Sequence, residues 1–183
     1  MGALQAAMRG ITRFNDWLGR WVSLLLLVIF ALLIAEVVFR YFAGAPKVWT
    51  SELTQLLFGV YVVLSGGYIL AHGGHVNVDI LYSRFAPRTR AIVDLFTSLL
   101  FFVFLGALLY FGSSLAWESI SFWEHSQSAW DPPIWPVKLA IPVGAALLLL
   151  QGLVKLVRDV MVAFGIEPPG VLPPPDKKAE LRT

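Results

Sequence analysis

Cysteine is absent from the 183 residues, which removes disulfides, thiolate metal sites and cysteine nucleophiles from consideration. Histidine is scarce, with three residues, and none lies within an apolar run, where a bundle would place haem ligands at depth on facing helices. Neither a phosphate-cradling Gly-rich loop with its lysine nor a Gly-x-Ser-x-Gly elbow occurs, so ATP hydrolysis and serine-type hydrolysis have no residues to carry them. Charged residues make up only 14% of the chain and the net charge is +2; no basic tract suggests a nucleic-acid partner. Charge is missing most completely from the middles of four long apolar runs. A protein that moves ions or protons by itself usually places an ionisable group there.

Those runs dominate what is present. Residues 53–71 and 95–117 are free of charged side chains over 19 and 23 positions, and 21–35 and 139–154 over 15 and 16. A helix rises about 1.5 Å per residue, so about 20 residues cross a hydrocarbon core of roughly 30 Å. The shorter runs reach that length with flanking charges that can snorkel, Lys138 and Lys155 around the last one. With 57% hydrophobic residues and a mean hydropathy of +0.72, the fold class is an all-α membrane protein, a bundle of four transmembrane helices. The expected organisation is an N-terminal segment 1–16, a membrane domain 17–163 with spans near 17–40, 51–72, 90–117 and 135–158, and a tail 164–183. The tail is Pro-rich and charged and is expected to be disordered. The first run is too long for a signal-peptide core and no clean small-residue cleavage pattern follows it, so an uncleaved first span is expected.

Lys and Arg favour cytoplasmic loops. Arg9, Arg13 and Arg20, then Arg84, Arg88 and Arg90, then Lys155, Arg158, Lys177, Lys178 and Arg182 fall on one side of a four-span topology, and only Arg40, Lys47 and Lys138 on the other. Eleven against three places both termini in the cytoplasm. The first outer loop, roughly 41–50, is broken by Gly44 and Pro46; Thr50 or Ser51 can cap span 2, and Glu52 in its first turn suits the helix dipole. The second, 118–135, carries Glu118, Glu124, Asp131 and three tryptophans, with Trp117 just before it. An anchoring belt at headgroup depth is the preferred reading of these rings over a ligand cage.

Glu36 and Arg40 stand four apart near the outer end of span 1 and can pair on one helix face. The pair reads either as a helix-end ion bridge or as a contact within the bundle or with another subunit. His72, His75 and Asp79 follow span 2, but Gly73 and Gly74 between the histidines disfavour a regular helix and His125 lies on the opposite side, so a polar turn is preferred over a metal or haem site; no cofactor is expected. Small residues line the spans: Gln55, Ser65, Gly66 and Gly67 with Gly59 in span 2, Gly106, Ala107, Gly112, Ser113 and Ser114 in span 3, Gly144, Ala145, Ala146 and Gly152 in span 4. They let helix backbones approach, within the bundle or against a second membrane protein.

The motif Glu36-Val-Val-Phe-Arg40-Tyr41-Phe42, then Trp49-Thr-Ser-Glu52-Leu53 leading into span 2, then His75-Val-Asn-Val-Asp79 after it, resembles the small membrane subunit of tripartite ATP-independent periplasmic (TRAP) transporters. The resemblance covers roughly residues 15–160 and rests on the order and spacing of the motifs relative to the spans. Gly73-Gly74 departs from it, standing where the family often has a basic residue. The resemblance implies import of organic acids or related solutes driven by an ion gradient, commonly sodium. A periplasmic solute-binding protein captures the solute, and a large membrane subunit carries it by an elevator-like motion. The small subunit packs against the large one in the inner membrane and is expected to help dock the binding protein. By position, Glu36, Arg40, Trp49 and Glu52 match the outer-side motif and His75 and Asp79 the inner-side one, as structural or subunit-interface residues. Two other classes fit four apolar spans less well. A self-sufficient oligomeric small transporter needs a mid-span carboxylate, and Glu36, near a helix end, is the only candidate. A membrane enzyme or cytochrome-type subunit would need His72 or His75 as ligand.

Overall fold

The computed structural model describes the backbone of residues 2–72 and 87–163, with side chains described for 2–72 and 97–161. Four helices account for most of it: α1 (Gly2–Val37), continued by a π-helical turn (Val38–Phe42), α2 (Val48–Ala71), α3 (Pro87–Ser121) and α4 (Trp135–Ala163). Each contains a stretch long and apolar enough to cross a membrane. Among the described residues there is no strand, only an isolated bridge between His125 and Pro133.

The helices run up and down, with α1 antiparallel to α2 and α3 antiparallel to α4, so that residues 2 and 163 lie at one end, here the termini end, and both described loops at the other, the loop end. Spatial order differs from chain order: α2 and α4 pack side by side in the middle, α1 lies on α2 and more briefly on α4, and α3 packs principally on α4. Burial follows position. In the most apolar stretch of α4, 39% of residues are buried, against 11% for α1. The outer helices accordingly touch the bundle along narrow seams. On α1 the buried residues are Met8, Thr12, Asn15, Gly19, Val22 and Ile29, the alternating three- and four-residue spacing of left-handed helix packing. On α3 they are Leu105, Gly112, Ala116 and Ser119. Lipid tails are as apolar as leucine, so close packing must hold these seams.

The small residues divide by role. Gly144 of α4 lies against Val63 of α2, where a Cβ would come within 2.6 Å of the Val63 carbonyl oxygen. Gly67 of α2 lies against Asn15, Gly152 of α4 against Phe101, and Gly112 of α3 against Ile141 of α4. Gly106 meets nothing within 4 Å, and Gln55 is exposed. Pro142 sits inside α4, where it removes one backbone donor, and its ring lies beside Gly112.

Two boundaries differ from the sequence reading. The first span occupies only part of a helix that begins at Gly2. The residue before α2 is Lys47, extended and without a side-chain cap, so Thr50 and Ser51 lie inside the first turn and Glu52 just past it. α2 is thus longer than its charge-free segment at the N-terminal end, where it takes in Val48 to Glu52.

Candidate functional site

Polar side chains collect at the two ends of the bundle. At the loop end, α1 closes with the π turn, in which the Ala43 N–H donates to the Val38 carbonyl at 3.1 Å, five residues back, and Gly44 follows in the left-handed region at φ +59°. Just before this turn, Glu36 accepts from the Arg40 guanidinium with one carboxylate oxygen and from the Thr50 hydroxyl with the other. Thr50 is fully buried, and its single hydroxyl proton is shared between Glu36 and the Lys47 carbonyl at 2.8 Å. The Glu36 side chain is only 12% exposed while that of Arg40 is 54% exposed, so the pair has a fixed member and a solvent-facing one. Trp49 packs edge-on against Phe39 at 6.5 Å. The Glu36–Arg40 pair is present at the outer end of the helix, and its third partner, Thr50, comes from α2.

Glu52 reaches elsewhere. Its carboxylate accepts from Ser126 and, at 2.5 Å, from Ser128, both in the loop between α3 and α4. That loop is held internally: Ser128 Oγ accepts from the backbone N–H of Trp130 and Asp131, Ser126 N–H donates to Pro132 at 2.8 Å, and Ile134 N–H donates to Glu124 at 3.0 Å. Trp123 and Asp131 both adopt positive φ, 48° and 51°. Trp123 packs edge-on against Trp135, and the Glu124 carboxylate bonds the Lys138 ammonium at 2.5 Å. This ammonium holds the Glu124 carboxyl below its ordinary value. Trp117 and Trp123 remain largely exposed.

At the termini end the chemistry changes. Asn15 of α1 donates to the Gln151 side-chain carbonyl of α4 at 3.3 Å and to the Ile11 carbonyl at 3.2 Å, and Gln151 donates to Thr12 at 3.3 Å. All three are buried. The Asn15 carbonyl oxygen accepts no hydrogen bond among the described residues and faces Gly67, which brings α2 close to α1. Next to this cluster, Asp16 pairs with Arg20 through one oxygen and lies 3.4 Å from His72 Nε2 through the other. His72 stacks on Tyr68 with ring centroids 4.2 Å apart and bonds the Tyr68 carbonyl through Nδ1 at 3.0 Å. It thus closes the C-terminal end of α2. His75 and Asp79 lie outside the described residues. No group of three metal-ligating side chains occurs among the described residues.

The structure brings Glu36, Arg40 and Trp49 together with Thr50, and joins Glu52 to the second loop rather than to that group. Sequence reading missed the Asn15–Gln151–Thr12 cluster. The available signal was Gln151, an amide inside an apolar run.

The family model described as "Tripartite ATP-independent periplasmic transporters, DctQ component" matches residues 29–161. Three similar proteins have descriptive names. The sialic acid TRAP transporter permease protein SiaT of Haemophilus influenzae is 33% identical over 106 residues, 57% of this chain and 17% of that protein. The C4-dicarboxylate TRAP transporter small permease protein DctQ of Rhodobacter capsulatus is 30% identical over 148 residues, 76% of this chain and 58% of that protein. The sialic acid TRAP transporter small permease protein SiaQ of Vibrio cholerae is 24% identical over 147 residues, 78% and 80% of the two chains. The chain thus spans a small part of the first relative and a little over half of the second.

Proposed function

The chain belongs to the DctQ component family of tripartite ATP-independent periplasmic transporters, as a multi-pass inner-membrane transporter subunit and not an enzyme; on that premise we propose that it is the scaffold subunit of an ion-gradient-driven importer for organic acids. In this reading it packs against a large transport subunit that carries the solute and ion sites, and its loop end helps dock a periplasmic solute-binding protein. Both termini face the cytoplasm, in keeping with the basic residues gathered at the termini end. The observation that carries the scaffold role is the charge distribution. No ionisable residue stands near the centre of any apolar run, while Glu36, Arg40, Glu52, Glu124 and Lys138 are tied to one another or to loop hydroxyls at the loop end. Organic acids as solute class are supported by two relatives' names, sialic acid and C4-dicarboxylate, which share a carboxylate.

Within this reading Glu36, Arg40, Trp49 and Glu52 shape the loop-end surface, and His75 and Asp79 serve the opposite side. The test is purification from native membranes followed by reconstitution. Recovery of a larger polytopic subunit, with solute uptake only when it and the binding protein are both present, is the expected result. Uptake by this chain alone would overturn the proposal. Glu36→Ala and Arg40→Ala should lower recovery of the complex or uptake while leaving the binding protein's solute affinity unchanged.

A further inference from the structure

The outward face of α1 at the termini end carries a feature that packing within the bundle does not use. Phe14, Trp17 and Trp21 form a ladder with ring centroids 6.1 and 6.4 Å apart, and all three are more than half or about half exposed. Arg9, Arg13 and Arg20 are exposed as well. At 3.6 residues per turn, Arg13, Trp17 and Arg20 share one stripe, opposite the buried seam of Asn15, Gly19 and Val22.

Depth follows from helix rise. Phe39, which packs on Trp49, lies 18 residues beyond Trp21 and 22 beyond Trp17. At about 1.5 Å per residue these separations are roughly 27 and 33 Å, which bracket the thickness of a hydrocarbon core. Trp17 and Trp21 therefore stand at one membrane interface and the Phe39–Trp49 pair at the other. Arg13 lies one turn beyond Trp17, in the headgroup layer, and Arg9 one turn further. The nearby carboxylate, Asp16, is turned inward, one oxygen on Arg20 and the other toward His72. Among the described residues Arg9 and Arg13 have no carboxylate partner; Arg9 donates its Nε to the Gln5 carbonyl at 3.3 Å. Lys155 and Arg158 of α4 are exposed at the same end, beside the exposed Asp159.

We propose that this face of α1, from Arg9 to Trp21, binds the headgroup of an anionic phospholipid. Guanidinium groups match phosphate oxygens in a two-pronged geometry, and indole rings hold the glycerol and carbonyl depth where their N–H groups find acceptors. An apolar face alone would accept any lipid; cations at headgroup height that no described carboxylate neutralises select lipids of net negative charge. The proposal is independent of the transported solute and coupling ion.

The test uses the full chain in mixed vesicles of phosphatidylcholine and phosphatidylglycerol, with bromine on the acyl chains of one lipid or the other at equal mole fraction. The Trp17/Trp21 contribution is the difference in fluorescence between the chain and its W17F/W21F variant. Brominated phosphatidylglycerol should quench that contribution roughly threefold more than brominated phosphatidylcholine, a conservative reading of the attraction expected for each basic residue near an anionic surface. The ratio should fall to one in R9Q/R13Q and drop at high salt, while R40Q at the loop end leaves it unchanged. A ratio of one in the unaltered chain means that bulk lipid or protein covers this face and overturns the proposal. So does a ratio that survives R9Q/R13Q, or one that R40Q abolishes equally.

Discussion

The loop end and the termini end of this bundle are fastened by different chemistry. At the loop end, carboxylates do the fastening: Glu36 bridges α1 to α2 through Thr50, Glu52 bridges α2 to the α3–α4 loop, and Glu124 bridges that loop to α4 through Lys138. At the termini end the buried bonds are between neutral groups, Asn15, Gln151 and Thr12, and the helices close by shape, with Gly67 against Asn15 and Gly19 against Tyr68. The difference is one of burial. Thr12, Asn15 and Gln151 are enclosed between helices, where an uncompensated charge is costly, whereas Arg40, Glu124 and Lys138 keep part of their side chains exposed. The loop end should respond to proton concentration and the termini end to side-chain volume.

The largest test of that contrast is steric. Gly67→Leu places a side chain against the Asn15 amide and should destabilise by about 2 kcal/mol or more, the usual cost of overpacking a close-packed contact. Gly106→Leu, on a face with no neighbour within 4 Å, should leave thermal unfolding in detergent unchanged. Equal effects from the two would erase the distinction between glycines that pack the bundle and those that do not.

Next in size is the buried hydroxyl of the loop end. Thr50→Val keeps the volume and removes a donor to an ionised group, which should lower the unfolding midpoint by less than Gly67→Leu does, with Thr50→Ser restoring much of it. If Thr50→Val proves neutral, Glu36 is held by Arg40 alone. The Arg40 contribution is discounted because its side chain is half exposed, and exposed pairs are worth little. Smaller again is the amide bridge. Asn15→Leu and Gln151→Leu should show a coupling of about 0.6 kcal/mol in a double-mutant cycle, the usual scale for interhelical hydrogen bonds in membranes; no coupling would mean that packing alone fixes α1 on α4.

The smallest expected effect is on acidity. Lys138 depresses the Glu124 carboxyl in the folded loop, so the unfolded loop binds its proton first as pH falls. The stabilisation is complete above the ordinary glutamate value, about pH 4.5, and fades as pH drops through the depressed one. Hydrogen exchange of residues 122–134 should speed up below about pH 4.5, and Glu124→Gln should remove that dependence.

The four spans and the Glu36–Arg40 pair were legible in the sequence because both are local: a run of apolar residues and an i, i+4 spacing report themselves. The second role of Glu52 was not legible because its donors, Ser126 and Ser128, are 74 and 76 residues away. Asn15 and Gln151 meet across 136 residues, and a segment read as preceding the first span gave no sign that it would be packed. Thr50 looked like a cap because Thr, Ser and Glu beside Pro46 make the usual helix-start signal; the chain turned helical two residues earlier, at Val48, and took its hydroxyl inside. The small residues showed that helices approach closely somewhere, and only the packing order of the helices decided that Gly144 and Gly67 serve the bundle while Gly106 does not.

The π turn at Val38–Phe42 has one more consequence. It is a place where the helix holds one residue more per turn than α geometry allows, so it behaves as slack in the winding. Glu36 lies before the slack and is pinned to Thr50; Tyr41 and Phe42 lie within it and point out, about four-fifths exposed. Removing one residue here would take up the slack, keep Glu36 in place and swing the aromatic pair to a new bearing around the helix axis. The direction in which this rim faces its surroundings is thus set by a residue count, adjustable without disturbing the polar contact beneath it.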